Sequence, residues 1–179
     1  MASPIAHSLA GLAIYYAVYK RTGASWWVLI AIVIGANLPD FDLLPGLLLG
    51  NSDIFHRTFS HSIFFALFSG AVFYLSLRIF SVNFAWARSL VWTIAILSHL
   101  FIDWATFDHV SPRGIAVFWP LSDNFYMSKF TLFMHIERHN IFEPATIMHN
   151  INAGLLELII FLPIALIIRK ALYRPVFGI

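Results

Sequence analysis

Histidine and aspartate side chains in four short segments of the sequence could bind metal ions. The segments are Ser-Pro-Ile-Ala-His, Leu-Pro-Asp-Phe-Asp, His-Arg-Thr-Phe-Ser-His and His-Leu-Phe-Ile-Asp, and their candidate ligands are His7, Asp40, Asp42, His56, His61, His99 and Asp103. Imidazole nitrogens and carboxylate oxygens are the usual protein ligands of zinc, and they also suit manganese or iron. These groups are more numerous than one tetrahedral zinc ion requires. They predict two or three ions that share bridging carboxylates, an arrangement suited to the hydrolysis of phosphoesters.

Catalytic roles follow from residue type. Asp40 or Asp42 could act as a ligand or as a general base. Arg57 is the candidate for neutralising a phosphate oxygen, because a guanidinium binds phosphate bidentately. Structural interpretations stay open: His99 as a hydrogen-bonded helix residue, the two aspartates as turn caps, and His56 with Arg57 as a pair facing lipid headgroups. Ionisable groups inside membrane proteins are costly and mostly functional, so four such segments together favour metal binding.

The remaining histidines and two glutamates carry weaker signals. The histidines concerned are His109, His135, His139 and His149, which we expect at the surface of an extramembrane segment. His139 and Glu143 share the i, i+4 spacing, which leaves an additional metal site open there. Glu157 lies inside an apolar segment, where a structural hydrogen bond and a role in the site are both open.

The composition indicates the class of protein in which these candidate ligands lie. Of 179 residues, 60% are hydrophobic and only 11% are charged, with a mean hydropathy of +0.79. So few charges exclude a water-soluble globular domain and indicate an integral membrane protein, which we expect to form a single domain over 1–179. The absence of cysteine excludes disulfides and thiolate ligands. A net charge of +2 is too small to indicate a nucleic-acid partner.

Five apolar segments predict an all-α, polytopic membrane helix bundle. They cover 2–19, 24–38, 62–80, 89–104 and 155–168. The second covers about 15 residues and stops at Pro39, so it could enter the membrane without crossing it. Pro163 predicts a kink in the last. The more polar stretch 106–152 predicts an extramembrane cap.

The charged residues divide unequally between the two sides of this bundle. With alternating spans, one side holds Lys20, Arg21, Arg78, Arg88, Arg169, Lys170 and Arg174, and the other holds Arg57, Arg113, Lys129 and Arg138. The larger set predicts the cytoplasmic side. All nine acidic residues and all eight histidines fall towards the other side. We therefore expect the metal site on the extracytoplasmic face of the cell (inner) membrane. The first residues lack the basic start of a signal peptide, so we expect His7 to be retained.

The four segments, together with Phe-Trp-Pro-Leu-Ser at 118–122, resemble the YdjM-type (DUF457) family of predicted membrane-bound, metal-dependent hydrolases. The resemblance covers residues 3 to about 123 and, less clearly, the last helix. That family is distantly similar to zinc-dependent phospholipase C and the S1/P1 nucleases, which implies three zinc ions and a similar metal site. The ligands implied by that likeness are His7, Asp40 or Asp42, His61, His99 and a bridging Asp103. His109, and His139 with Glu143, could match the later ligands of those enzymes.

These observations lead to a hypothesis about function. The sequence predicts a membrane-embedded, metal-dependent hydrolase, with zinc the expected metal, that cleaves a phosphoester by a metal-activated water. A site at the headgroup level implies membrane lipid as a partner and an amphiphilic phosphorylated substrate, such as a phospholipid or a polyprenyl phosphate. The alternatives are a metal-ion transporter or sensor and a membrane protein that binds metal without catalysis. A transporter should carry polar groups through to both faces, which this sequence does not.

Overall fold

The protein folds into a bundle of long α-helices in a computed structural model, which describes residues 1–23, 25–50, 55–109, 112–138 and 140–172. The α-helices are α1 (Pro4–Thr22), α2 (Trp26–Asn37), the short α3 (Leu43–Leu48), α4 (Ile63–Ile79), α5 (Ala85–Trp104) and α6 (Pro144–Leu172). Short 3-10 helices cover Leu38–Asp42 and Phe59–His61. Within the described residues, β-structure is limited to two isolated bridges. The all-helical class predicted from the sequence is confirmed.

Three helical stretches are long and apolar enough to cross a membrane: Trp26–Gly46, Ala85–Trp104 and Pro144–Leu172. Helix α4 is apolar but shorter, with 17 residues. Helix α1 is buried along much of its length by small residues, which include Ala6, Ala10 and Ala13. It packs against α2, α5 and α6, so its place inside the bundle explains why it is less apolar than the helices around it.

The second predicted segment does not stop at Pro39. The α-helix ends at Asn37, but the chain continues as the 3-10 helix Leu38–Asp42 and then as α3. Pro39 lies in the first turn of that 3-10 helix, where its missing N–H costs no intrahelical hydrogen bond. The continuous stretch Trp26–Gly46 is 21 residues long. It is therefore long enough to cross a membrane, whereas the predicted segment 24–38 was too short to make this certain.

Helix α6 is longer than predicted, with 29 residues from Pro144. Residues 144–152, which the sequence assigns to the cap, form its first turns. The part of the predicted cap that precedes α6 is 106–143; whether 144–152 lies outside the membrane stays a prediction. The helix continues through Pro163, which lies inside it.

Helix α5 is the centre of the bundle and contacts α1, α2 and α4. Small side chains allow close approach, as is usual where helices pack in membranes. A Cβ atom on Gly11 of α1 would lie 3.3 Å from the Ala36 Cβ of α2. At one end of the bundle the Arg88 guanidinium lies 4.3 Å from the Trp27 ring centre and donates from Nε to the Thr22 carbonyl. The opposite end holds the candidate ligands.

Candidate metal centre

Ends of several helices bring the candidate ligands together. Ser3 caps α1 by accepting a hydrogen bond from the Ile5 N–H, and His7 follows at the first turn. Asp40 and Asp42 lie in the 3-10 helix that continues α2. His61 ends the second 3-10 helix, just before Ser62 caps α4. At the end of α5, the i, i+4 spacing puts His99 and Asp103 side by side.

Four ligand atoms converge in what we term the tetrad: Asp40 Oδ1, His61 Nε2, His99 Nε2 and Asp103 Oδ2. His61 Nε2 lies 3.6 Å from Asp40 Oδ1, 3.5 Å from Asp103 Oδ2 and 3.2 Å from His99 Nε2. His99 Nε2 lies 3.6 Å from Asp40 Oδ1 and 3.0 Å from Asp103 Oδ2. Atoms about 2 Å from a tetrahedral zinc ion lie about 3.3 Å from one another. The tetrad thus has the dimensions of a metal coordination shell.

Hydrogen bonds on the far side of each imidazole set the direction of its lone pair. His99 Nδ1 lies 2.8 Å from the Ala36 carbonyl, which only accepts, so Nδ1 carries the proton. His61 Nδ1 lies 3.2 Å from Asp42 Oδ2, which likewise accepts. In the neutral rings, both Nε2 lone pairs therefore face the two carboxylates of the tetrad. Four electron-rich atoms at this spacing could hold a cation between them.

The pKa values of His61 and His56 are shifted in opposite directions by their surroundings. Burial acts against a charge on His61, but the nearby carboxylates of Asp103, Asp40 and Asp42 outweigh it and hold the pKa of His61 well above its usual range. For His56 burial dominates, and it lowers the pKa of that imidazole despite the hydrogen bond with Asp42. The surroundings of His61 thus favour positive charge.

His7 and Asp103 form a second group of ligand atoms beside the tetrad. Asp103 Oδ1 faces away from the other three residues, lies 3.6 Å from His7 Nε2 and accepts a hydrogen bond from the Ala2 N–H at 3.0 Å. The His7 ring stacks on His99 with centres 3.7 Å apart. His7 is fully buried, and neither of its ring nitrogens has a hydrogen-bond partner.

Buried atoms that lack a hydrogen-bond partner show whether the residues present suit a metal ion. A buried nitrogen or oxygen without a partner is costly, and native proteins rarely contain one. Here His7 contributes two, and Asp103 Oδ2, which faces the tetrad, is a third. Their positions beside Asp103 match the donor set of a divalent transition metal. The residues therefore fit a metal ion at the tetrad, and His7 with Asp103 Oδ1 supplies two further possible ligands beside it.

Asp42 and His56 lie on the opposite side of His61 from the tetrad. Asp42 Oδ1 accepts from His56 Nδ1 at 2.6 Å, and its Oδ2 accepts from His61 Nδ1 and from the Ser60 hydroxyl. The sequence groups Asp42 and His56 with the other ligands, whereas the structure makes Asp42 the residue that orients His61. Asp42, His56 and His61 could also hold an ion as a separate group.

Arg57 is directed into an ion pair. Its guanidinium bonds Asp108, a residue of the cap, and both side chains are 9% exposed. Asp108 also accepts the Gly114 N–H, and the Arg57 carbonyl accepts the Ala116 N–H. Arg57 thus fastens the cap to the segment before α4. The role in phosphate binding that the sequence gives it stays a prediction.

A cavity of about 520 Å³ opens beside the tetrad. Asp40 lines it, and its side chain is 17% exposed while the other tetrad residues are fully enclosed. Arg138, from the cap, lines the same cavity. From the sequence, Arg138 is only one of four basic residues on the predicted extracytoplasmic side. No local motif marks it, because its place in the lining of this cavity depends on how the distant cap segment folds.

Three of the other histidines, His109, His135 and His149, form a separate group. His135 Nε2 lies 3.7 Å and His109 Nε2 lies 4.0 Å from Glu137 Oε2, and these three residues could hold a metal ion. His149 donates to the His135 carbonyl at 2.9 Å. Glu143 is exposed, and its predicted partner His139 lies outside the described residues. His109 thus associates with His135 and Glu137, and not with Glu143.

Glu157 caps the first helix. This fully buried residue of α6 accepts hydrogen bonds from the Ser3 N–H at 2.8 Å and from the Ser3 hydroxyl. Its carboxylate lies at the N-terminus of α1, where the helix dipole favours negative charge. Of the two roles left open by the sequence, the structural hydrogen bond is the one observed.

The fold and the site together define a membrane helix bundle with buried histidine and aspartate groups that could bind metal at one end. A family model described as YdjM inner membrane protein matches residues 1–175. The chain therefore belongs to the YdjM family, as its motifs predict. No curated protein and no solved structure matches it. The more distant likeness to zinc-dependent phospholipase C and S1/P1 nucleases stays a prediction.

Proposed function

We propose that this protein is a membrane-embedded, metal-dependent hydrolase that cleaves a phosphoester of an amphiphilic substrate. The observation that carries the proposal is the tetrad, in which two imidazole lone pairs and two carboxylate oxygens face one another at 3.0–3.6 Å. Zinc is the metal we expect, because two nitrogens and two carboxylate oxygens at this spacing suit its tetrahedral coordination.

The site has the parts that hydrolysis needs. When bound, divalent ions would polarise a phosphoryl oxygen and activate water. Asp103 presents one oxygen to the tetrad and the other to His7, so it can hold two ions close together. Asp40 is the tetrad member that lines the cavity, so a substrate approaching from the cavity meets this carboxylate first. Asp42 and Ala36 keep the lone pairs of His61 and His99 directed inward.

The position in the membrane favours an amphiphilic substrate. The described ligand-type residues lie at the end of the bundle where α1 and α6 begin and α5 ends. The excess of Lys and Arg at the other end supports a cytoplasmic location for that end and an extracytoplasmic site. This confinement to one end argues against a transport path. A metal-binding protein without catalysis is the second candidate, because four protein ligands are typical of structural zinc sites.

The first experiment measures metal and activity in the same preparations. The full chain, purified in detergent, is assayed for metal by mass spectrometry and for hydrolysis of phosphomonoester, phosphodiester and phospholipid substrates. We expect two or three metal ions per chain and hydrolysis of at least one substrate class. His99→Ala and Asp103→Ala should lose metal and at least 100-fold in activity, whereas the exposed control Asp123→Asn should keep both.

The outcomes separate the candidates. Metal content like that of the native protein in both His99→Ala and Asp103→Ala would overturn the metal site. Metal loss in the variants, with no hydrolysis by the native protein, would favour the non-catalytic candidate. Zinc uptake into proteoliposomes would instead indicate a transporter.

A further inference from the structure

The cavity beside Asp40 combines an arginine with an apolar wall. Its lining includes Pro4, Asp40, Phe41, Leu44, Ile136 and Arg138. We propose that this cavity binds a phosphate ester carried on a long apolar chain, with Arg138 binding the phosphate and the Phe41–Leu44 wall contacting the chain. The inference rests on the proposed function for the reaction, but the binding it describes is tested without hydrolysis.

Charge complementarity assigns the phosphate to Arg138. Arg138 is the only Lys or Arg among the described residues that line the cavity, and its side chain is half-buried. A partly desolvated guanidinium forms stronger, paired hydrogen bonds to phosphate than an exposed one. Asp40 alone would repel an anion, so a phosphate at this position needs both Arg138 and a cation at the tetrad. The same cavity thus places the phosphate next to the candidate metal centre.

The apolar wall faces the membrane. Phe41 and Leu44 are 52% and 57% exposed, and both belong to the candidate membrane span Trp26–Gly46. Side chains so exposed on a span contact lipid. A chain anchored in the bilayer can therefore reach the cavity sideways, while a small water-soluble phosphate gains nothing from this wall.

Two other cavities have apolar walls but no arginine or lysine in the described part of their lining. A cavity of about 350 Å³ is lined by apolar side chains that include Leu97, Phe101 and Phe118. A cavity of about 340 Å³ contains Asp42 and several phenylalanines. Among their described lining residues neither contains Lys or Arg, so an anionic headgroup has no partner there. Of these three cavities, the one with Arg138 matches both ends of an amphiphilic phosphate.

The test uses phosphonates, whose carbon–phosphorus bond resists hydrolysis. The full chain, held in amphipol, is titrated calorimetrically with dodecylphosphonate and with methylphosphonate. We expect dodecylphosphonate to bind at least tenfold more tightly, because the wall removes its chain from water. Arg138→Gln should weaken dodecylphosphonate binding about tenfold through loss of a charged hydrogen bond. Arg138→Lys should retain part of the affinity. Leu44→Gln should reduce the preference for the long chain.

Matched controls lie on the same elements. Arg113→Gln changes an exposed cap arginine, and Leu48→Gln changes an exposed leucine of α3; neither residue lines the cavity. Both should bind dodecylphosphonate as the native protein does. Equal affinity for the two phosphonates, or native affinity in Arg138→Gln, would overturn the proposal. Phosphonate binding with the expected pattern in a protein that hydrolyses no phosphoester would support the cavity and refute only the proposed reaction.

Discussion

At the scale of single residues, His61 links the two halves of the site. Its Nε2 faces Asp40, His99 and Asp103, while its Nδ1 faces Asp42 and Ser60. One imidazole cannot direct a lone pair to both sides while neutral, because one nitrogen must carry the proton. Asp42 settles the choice by accepting that proton's hydrogen bond. Asp42, which the sequence groups with the candidate ligands, thus affects the candidate metal site indirectly, by orienting the ligand His61.

Replacing Asp42 tests this positioning role. Asp42 uses one oxygen for His56 and the other for His61. Asp42→Asn replaces one of these oxygens by an NH₂ donor, which would favour the wrong tautomer of the ring that it faces. We expect the number of metal ions per chain to stay unchanged and the zinc affinity to fall about 10- to 100-fold. Mass spectrometry gives the number, and competition with a chromophoric chelator gives the affinity.

The same measurements distinguish a direct ligand from a positioning residue. If Asp42 itself binds an ion, Asp42→Asn should lose one ion per chain, and the positioning role would be wrong. Asp123→Asn, in the exposed part of the cap, is the matched control and should change neither quantity.

At the scale of elements, the 3-10 helix Leu38–Asp42 explains how two neighbouring aspartates serve different groups. A 3-10 helix has about three residues per turn, so positions i and i+2 point about 120° apart. Asp40 therefore faces the tetrad and the larger cavity, while Asp42 faces His56 and Ser60. An extended or freely turning segment would not separate them in this fixed way.

Helix α6 stabilises the N-terminus of α1 through the hydrogen bonds that Glu157 accepts from Ser3. We expect Glu157→Ala to lower the free energy of unfolding by about 2 kcal/mol, because it leaves the Ser3 N–H and hydroxyl buried without an acceptor. Glu157→Gln keeps one acceptor and should cost less. Both variants should retain native metal content, since Glu157 bonds Ser3 in the structure. Thermal unfolding in detergent and metal analysis provide the two readouts.

A control on α6 distinguishes the loss of the Glu157 hydrogen bonds from the general effect of changing a side chain on this helix. Ile159→Ala changes a side chain that is 68% exposed and should alter stability little. Loss of metal from folded Glu157→Gln would show that Glu157 belongs to the site, contrary to this expectation.

At the scale of the whole molecule, the candidate metal ligands lie at one end of the bundle and a group of basic residues lies at the other. The described histidines and acids gather at the end where α1 begins, whereas Arg88, Lys20 and Arg169 lie towards the other. The tetrad connects α5 with the continuation of α2 and the segment before α4, and α1 and α6 hold the N-terminal residues against it. The site therefore exists only when the whole bundle is assembled.

Side-specific labelling tests the orientation. The sequence contains no cysteine, so single cysteines can be introduced without a background. Leu121→Cys lies in the cap at 93% exposure, and Phe80→Cys follows α4 at 78% exposure. In intact spheroplasts, a membrane-impermeant maleimide should label the first and not the second.

Permeabilised cells supply the comparison. Both cysteines should then react, which shows that the protection of Phe80→Cys comes from the membrane. The reverse pattern in intact spheroplasts would place the metal centre on the cytoplasmic side.

Much of the fold could be predicted because hydropathy and capping are local. Long apolar runs predict helices, and the third predicted segment begins at Ser62, which caps α4 in the structure. Predictions failed where local rules gave a boundary that packing overrode: Pro39 was accommodated in a 3-10 helix, and 144–152 joined α6. The i, i+4 spacing of His99 and Asp103 was sufficient to pair them, because that contact lies within one helix.

By itself, the sequence determined that this is a helical membrane protein and that histidine and aspartate could form a metal site, since residue type and hydrophobic length are properties of short segments. Only the tertiary structure decided which atoms meet. The Ala2 N–H bonds Asp103 across 101 positions of the chain, Asp42 turns to the far side of His61, and Arg138 reaches the cavity where the sequence had favoured Arg57. Such contacts join distant segments, so they depend on how the helices pack and not on any local pattern.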